Sequence, residues 1–355
     1  LSSQLLINLS FLATKPTGHT IYAKNLVSHL QALEPTLLSP QNFPGFKHYS
    51  IAGNMTPDQG SKGHFSRLLW NQFQLPKIYR KLQGTLLFSP IPEAPLFSKC
   101  RSVVTLHDLI PLKFPRWSSP LTPYFKYYIP QVLAQAKQII CDSEATAKDA
   151  AHFYQIPACK MTIVPLAYDS GHFKFLGLPT QNYFLYVGRH DAYKNLQRVI
   201  QAFSTLRTDT QIWIAGPSDR RHTPVLIAQI ETLGLTDRVK FLSYVPYAEL
   251  PTLINQAIAL VFPSLCEGFG LPILEAMACG TPVITSNLSS MPEVAGDAAL
   301  LVDPHNVGAI GEAMKAIASD PSLSSRLRQQ SLIRANQFSW TKTAEFTANI
   351  LKQYL

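Results

Sequence analysis

In the second half of the chain, short unbroken apolar runs alternate with longer stretches whose apolar residues return every third or fourth position. The runs YFLYVGR (183–189), QIWIAG (211–216), VKFLSYV (239–245), IALVFPS (258–264) and TPVITS (281–286) are rich in β-branched and aromatic residues. Helices are expected between them, over 196–206, 225–233 and 247–256. Strands that lack polar alternation are buried on both faces, which predicts a parallel sheet covered by helices. The first half repeats the rhythm less regularly, with QLLINLSF, a helix around 21–33, TLLFSP, SVVTLHD and QIICDSE. Two βα blocks of similar size therefore predict two doubly wound α/β domains, 1–167 and 168–336. The last stretch, FSWTKTAEFTANILKQYL, predicts a terminal helix over 337–355 that packs back toward the first domain. In open sheets of this kind, ligands sit beyond the carboxyl ends of the strands.

Size and composition agree with this picture. A chain of 355 residues exceeds one ordinary core and suits two domains. It is 46% hydrophobic and 15% charged, and no apolar run approaches the ~20 residues of a membrane-spanning helix. Lys15 and Lys24 follow the first apolar stretch instead of preceding it, so no secretory signal is legible, and the opening Leu1 is compatible with a missing leader. The five cysteines form no C-x-x-C pair, and reduced thiols in the cytoplasm are expected.

Charge adds an asymmetry. Residues 1–165 carry 16 Lys+Arg against 7 Asp+Glu, while residues 166–355 carry 15 of each. The whole excess of +9 lies in the first half, either as a solubility surface or to meet an anionic partner: a phosphate-bearing acceptor or a lipid headgroup. The basic residues are scattered and match no nucleic-acid module, so nucleic acid is not an expected partner.

One segment carries charge where the pattern is otherwise apolar. CEGFGLPILEAMACGTPVITS (266–286) holds two charged side chains, Glu267 and Glu275, both acidic. The run IALVFPS ends at Ser264, a loop follows over 265–270, and a helix is expected from Leu271. Pro272 falls in its first turn, where a missing N–H costs nothing. Gly268 and Gly270 allow a tight turn and the close approach of a ligand. Free amides at the helix start suit a phosphate. Glu267 in the loop and Glu275 about one turn into the helix reach two parts of one elongated ligand, and carboxylates accept hydrogen bonds from vicinal hydroxyls. Dipole compensation by Glu275 and a salt bridge for Glu267 are the structural alternative.

EGFGLPILEAMACGTPVI resembles the E-x7-E signature of the retaining glycosyltransferases of family four, and NLSSMPEVAGDAALLVDPHN continues as those enzymes do. The resemblance runs through the second half, and more loosely through HDLIP, CDSEATAKD and IVPLAYD in the first. It implies the GT-B fold, an α/β architecture of two doubly wound Rossmann-like domains facing each other across a deep cleft. It also implies that Glu275 binds the ribose hydroxyls of the donor and Glu267 the hydroxyls of the donor sugar. The backbone of Gly268, Phe269, Gly270 and Leu271 would hold the sugar and distal phosphate.

Five further positions follow from the same resemblance. Arg189 and Lys194 in VGRHDAYKN lie at the end of a strand, where two cations neutralise a diphosphate and stabilise it as it leaves. His107, just past SVVTLHD, would hydrogen-bond the donor sugar near the reacting carbon; Asp108 beside it is unassigned. Gly18 in TKPTGHT would bring backbone amides to the phosphates, although this loop has one glycine where many relatives have two, with Pro16 and Thr17 beside it. The backbone around Val245 in SYVP would read the base edge.

No pair of carboxylates flanks a bond as in a glycosidase, and no Asp-x-Asp is present to hold a metal diphosphate. A metal-independent, front-face transfer with no required cofactor is expected, drawing on a UDP- or GDP-linked sugar, with UDP-glucose and GDP-mannose as first choices. The hydroxyl acceptor is expected to be anionic or lipid-linked, in polysaccharide or other glycoconjugate synthesis. The stretches 60–70 and 115–131 mix aromatics with basic residues and suggest peripheral association with anionic membrane at its cytoplasmic face. A sugar-nucleotide epimerase and a non-catalytic sugar-nucleotide binder share the fold and are the alternatives.

Overall fold

The computed structural model describes residues 4–14, 17–116, 119, 121–206 and 209–355. Lys15 and Pro16 of the first loop, and Trp117, Ser118 and Pro120 of the 115–131 stretch, lie outside the described residues. The chain divides into two compact units, Leu1–Leu166 with Trp340–Leu355, and Ala167–Ser339.

Unit 1 is built on seven parallel strands: β1 (Leu5–Asn8), β2 (Thr36–Ser39), β3 (Lys47–Ser50), β4 (Leu86–Ser89), β5 (Ser102–Leu106), β6 (Gln138–Cys141) and β7 (Met161–Ile163), in the order β3-β2-β1-β4-β5-β6-β7. Strands β1, β2, β4, β5 and β6 are buried along their whole length, as a sheet covered on both faces requires. The sequence pattern overlooks β2, β3 and β7. Strands β3 and β7 are the sheet's edges, where exposure on one side removes the apolar signature. The helix expected around 21–33 begins earlier, at Gly18, because the Thr17 hydroxyl caps it by accepting from the Thr20 amide, and it ends at Ser28. The Trp340–Tyr354 helix packs on the Gly18–Ser28 helix, with the Tyr22 and Trp340 rings 6.1 Å apart. The Thr343 hydroxyl bonds the Pro165 carbonyl at 2.8 Å, and the Tyr354 hydroxyl bonds Gln138 Oε1 at 3.0 Å.

Unit 2 carries six parallel strands: β8 (Tyr183–Val187), β9 (Gln211–Ala215), β10 (Val239–Ser243), β11 (Leu260–Phe262), β12 (Val283–Ser286) and β13 (Leu300–Val302), in the order β10-β9-β8-β11-β12-β13. The helix expected over 196–206 runs Leu196–Phe203 and buries Leu196, Val199, Ile200 and Phe203, one apolar stripe at helical spacing. The others span Thr223–Thr232 and Leu250–Asn255, the latter after a single 3₁₀ turn at Tyr247–Glu249.

Both sheets are doubly wound, so each has a point where the strand order reverses and a crevice opens beyond the strand ends. In unit 1 it lies between β1 and β4, and in unit 2 between β8 and β11. Among the described residues, no helix is long and apolar enough to cross a membrane.

Candidate active site

The reversal point of unit 2 gathers the two motifs singled out above. After β8 the chain turns through Gly188 and Arg189 to a short 3₁₀ turn, Ala192–Lys194; after β11 it enters the loop that carries Glu267. The loops are knitted together by backbone and amide bonds. Leu265 N donates to the Tyr193 carbonyl at 2.8 Å, and Asn195 Nδ2 donates to the carbonyls of Pro263 at 3.0 Å and Pro304 at 2.7 Å. Asn195 is buried in a left-handed conformation at φ 64°, which a short polar side chain tolerates. Across this junction Lys194 Nζ meets both oxygens of Glu267, at 2.7 and 2.9 Å, and lies 5.1 Å from the centre of the Phe262 ring. Lys194 and Glu267 are nearly buried, so the pair is shielded from screening by salt. Arg189 instead turns outward, its Nε 3.2 Å from Asp191. Its carbonyl accepts from the buried Tyr186 hydroxyl at 2.9 Å, which fixes the turn.

Two serines missed by the sequence reading brace the Glu267 loop. Ser289 Oγ accepts from Glu267 N at 3.2 Å and donates to the Glu267 carbonyl at 2.8 Å; Ser290 Oγ bonds the carbonyls of Glu267 at 3.1 Å and Phe269 at 2.9 Å. They belong to NLSSMPEV, a stretch whose likeness to the family gave no role to single residues. Phe269 is buried, its ring 6.0 Å from that of Phe338. The chain then turns through Gly270 at φ 106°, a conformation that other residues rarely adopt, into the Leu271–Ala278 helix with Pro272 in its first turn. Gly268 shows no positive φ, so the turn expected of both glycines rests on Gly270. Beyond β9, Gly216 packs so closely on Gly188 that a Cβ would lie 1.9 Å from the Gly188 carbonyl oxygen; only glycine keeps the two strand ends together.

Glu275 lies half-buried on the inner side of that helix, and among the described residues no donor is hydrogen-bonded to its carboxylate. Burial, and then the nearby Asp169 charge, push its pKa up to about 7. A carboxylate taken out of water without a partner is costly, so the protein keeps an acceptor here that it does not itself use. Asp169 also accepts from the Tyr247 hydroxyl at 3.4 Å, and the Tyr247 ring stacks on His172 at 3.9 Å. Val245 lies two residues before that tyrosine, in the loop after β10.

In unit 1, Gly18 is exposed in the first turn of its helix. His107 is nearly buried just past β5, and both ring nitrogens are engaged: Nδ1 with Asp142 Oδ2 at 2.6 Å and Nε2 with the Pro90 carbonyl at 2.8 Å. Both partners are acceptors, so the ring donates twice and is an imidazolium. Burial opposes that charge, but the Asp142 carboxylate and the two hydrogen bonds outweigh it and raise the pKa of His107. No ring nitrogen is left over for the sugar contact expected of this residue. Its carbonyl accepts from the Thr146 hydroxyl at 3.1 Å. Nearby, Arg67 Nε and Nη2 grip Glu93 at 2.8 Å each, while Asn71 Nδ2 and the Tyr124 hydroxyl add bonds at 2.8 and 3.0 Å. Among the described residues, no group of three His, Cys, Asp or Glu side chains is placed to hold a metal ion.

Comparison with known proteins supplies the family. The family described as Glycosyl transferases group 1 matches residues 169–333, and Glycosyltransferase Family 4 matches residues 16–171. The O-antigen chain mannosyltransferase B of Escherichia coli is 32% identical over 71% of this chain and 70% of its own. Sucrose-phosphate synthase from Thermosynechococcus elongatus superposes with a TM-score of 0.80 at 20% identity, over 99% of both chains. Anabaena HepE in complex with UDP and glucose does so with a TM-score of 0.76 at 16% identity, over 99% of this chain and all of its own.

Proposed function

The chain belongs to the glycosyl transferases group 1 family and has the GT-B fold, and from that premise we propose that it moves a hexose from a nucleotide sugar to a hydroxyl acceptor with retention of configuration. The observation that carries this reading is Glu275, an acceptor with no donor among the described residues, one turn into a helix that starts at the reversal point of the sheet. Ribose hydroxyls are donors of the right spacing for its two oxygens. GDP-mannose is the first choice of donor, since the 32% identical relative is a mannosyltransferase, and UDP-glucose the second.

Transfer breaks the bond between C1 of the sugar and the diphosphate oxygen and joins C1 to the acceptor oxygen on the same face. The acceptor's proton passes to the departing diphosphate. Lys194, whose position Glu267 fixes, and the outward Arg189 supply charge to the diphosphate as it leaves, so no metal or cofactor is assigned. Glu267 takes hydroxyls of the sugar, the backbone of 268–271 holds the sugar and distal phosphate, and the segment around Val245 reads the base. In unit 1, the amides at Gly18 approach the phosphates, and His107 acts through its fixed positive charge.

The acceptor is proposed to be an anionic or lipid-linked hydroxyl compound, met at an anionic membrane surface. Phe65, Leu69 and Phe73 form an exposed apolar stripe at i, i+4 and i+8 on the Gly60–Phe73 helix, in the half of the chain that holds all the excess positive charge. This suits a lipid-linked acceptor at the inner face of a membrane. Equal co-sedimentation with neutral and anionic vesicles would remove this part of the reading.

The deciding experiment is a thermal-shift and hydrolysis screen against UDP, GDP and ADP sugars with EDTA present. One nucleotide is expected to stabilise the protein strongly and to release its sugar slowly. Stabilisation by none would leave the two glutamates structural.

A further inference from the structure

Unit 1 sets a second imidazole against His107, and among the described residues no hydrogen bond engages its nitrogens. His19 occupies the first turn of the Gly18–Ser28 helix, and its ring centroid lies 4.6 Å from that of His107 with the planes tilted by 34°. Tyr22, on the same helix, meets His107 edge-on at 4.8 Å and hydrogen-bonds Thr105 at 3.1 Å. His107 is thus clamped, with both N–H groups spent on Asp142 and Pro90. His19 is the reverse: the residue is exposed, and among the described residues no hydrogen bond engages its ring.

The charges around His19 decide its protonation. Crowding by protein lowers its pKa most, and the His107 and Arg67 cations lower it further. Repulsion by the adjacent imidazolium acts in the same direction as the crowding. The carboxylates of this region do not reverse that balance, because Asp142 is bound to His107 and Glu93 to Arg67. At neutral pH His19 is a neutral imidazole, one N–H donor and one lone-pair acceptor.

We infer that His19 is the substrate-contacting imidazole of unit 1 and that it takes a sugar hydroxyl, which donates to the unprotonated ring nitrogen. A hydroxyl supplies the O–H that the lone pair of a neutral imidazole requires. A phosphate oxygen offers only acceptors, and a full salt bridge would demand protonation of His19 against a neighbouring cation. The hydroxyl belongs either to the transferred sugar or to an acceptor sugar; the chemistry is the same. This inference rests on the glycosyltransferase reading.

The test compares His19→Ala, His19→Phe and His19→Asn with wild type. Titration calorimetry with GDP, GDP-mannose and methyl α-mannoside is combined with rates of GDP-mannose hydrolysis and of transfer to methyl α-mannoside. With Ala and Phe, affinity for GDP is expected to stay at the wild-type value. If the hydroxyl belongs to the donor, GDP-mannose affinity and hydrolysis fall about tenfold or more; if it belongs to the acceptor, methyl α-mannoside binding or transfer falls instead. Asn, which keeps a donor and an acceptor, recovers part of either loss, and Phe recovers none. Wild-type values in every assay for Ala and Phe would overturn the inference. Glu275→Ala separates the two failures: loss of GDP binding there with unaltered His19 variants sinks only the role of His19, whereas retained GDP binding sinks the transferase reading itself.

Discussion

Glu93 in unit 1 and Glu275 in unit 2 are both acids brought into an apolar setting near the carboxyl ends of a parallel sheet, and they end in opposite states. Glu93 accepts four hydrogen bonds, two from Arg67 and one each from Asn71 and Tyr124. Burial works to raise its pKa, but the Arg67 charge and bonds prevail and hold it below the usual carboxylate range. Among the described residues Glu275 has no such partner, and burial and Asp169 raise it to about 7. The difference separates two uses of a charge. A carboxylate whose acceptor sites are filled inside the fold ties elements together, here the Gly60–Phe73 helix, the segment after β4 and the turn at Tyr124. One left empty destabilises the free protein, and a ligand can repay that cost.

The sharpest way to break this contrast is to empty Glu93. Arg67→Ala leaves a buried carboxylate without its cation and is expected to destabilise unit 1 by about 3–5 kcal/mol in urea unfolding. A loss under 1 kcal/mol would mean that Glu93 is no structural anchor. Next in size are Lys194→Ala and Glu267→Ala, each expected to lower kcat for donor turnover about 100- to 1,000-fold with smaller changes in KM. Wild-type kcat in either variant would remove the pair from the chemistry. Glu275→Ala should weaken nucleotide binding by roughly ten- to a hundredfold, the worth of hydrogen bonds to a charged acceptor, without loss of stability. Unchanged affinity in calorimetry would assign Glu275 to the fold, alongside Glu93, and would sink the transferase reading that rests on it.

The smallest effect is in pH. Between the ordinary carboxylate range and pH 7, folded Glu275 holds a proton that the unfolded chain has released. Stability of the free protein therefore falls as pH rises through that window, by at most about 1.4 kcal/mol per pH unit. Glu275→Gln should flatten that part of the melting-temperature profile. Nucleotide affinity should run the other way, dropping as pH falls below about 7, because the ribose hydroxyls bind the ionised form. Calorimetry at pH 6 and pH 8 in buffers of different ionisation enthalpy would show the proton released on binding; no release would contradict the raised pKa.

Much of the fold was legible because buried parallel strands are unbroken apolar words. YFLYV and LLIN could be read as such, and the stripe of Leu196, Val199, Ile200 and Phe203 marked a helix. The edge strand Lys47–Ser50 could not, since an edge is half-exposed and its pattern resembles a loop. Glu267, Glu275, Arg189 and Lys194 stood out as charges within two short motifs. Their partners did not. Ser289 and Ser290 lie over twenty residues from the loop they brace, and His19 was one polar residue in a loop read for its glycine.

The sequence by itself determined the two βα blocks, the glycine turn before the Leu271–Ala278 helix and the position of two acids around it, because periodicity, φ and helix starts are local properties. Only the tertiary structure decided which charges meet. Pairing of Leu106 with Cys141 sets His107 beside Asp142, one step past the ends of β5 and β6. Adjacency of β8 and β11 brings Lys194 to Glu267, 73 residues away. Register and strand order are set by burial of whole faces, which no short stretch of sequence contains.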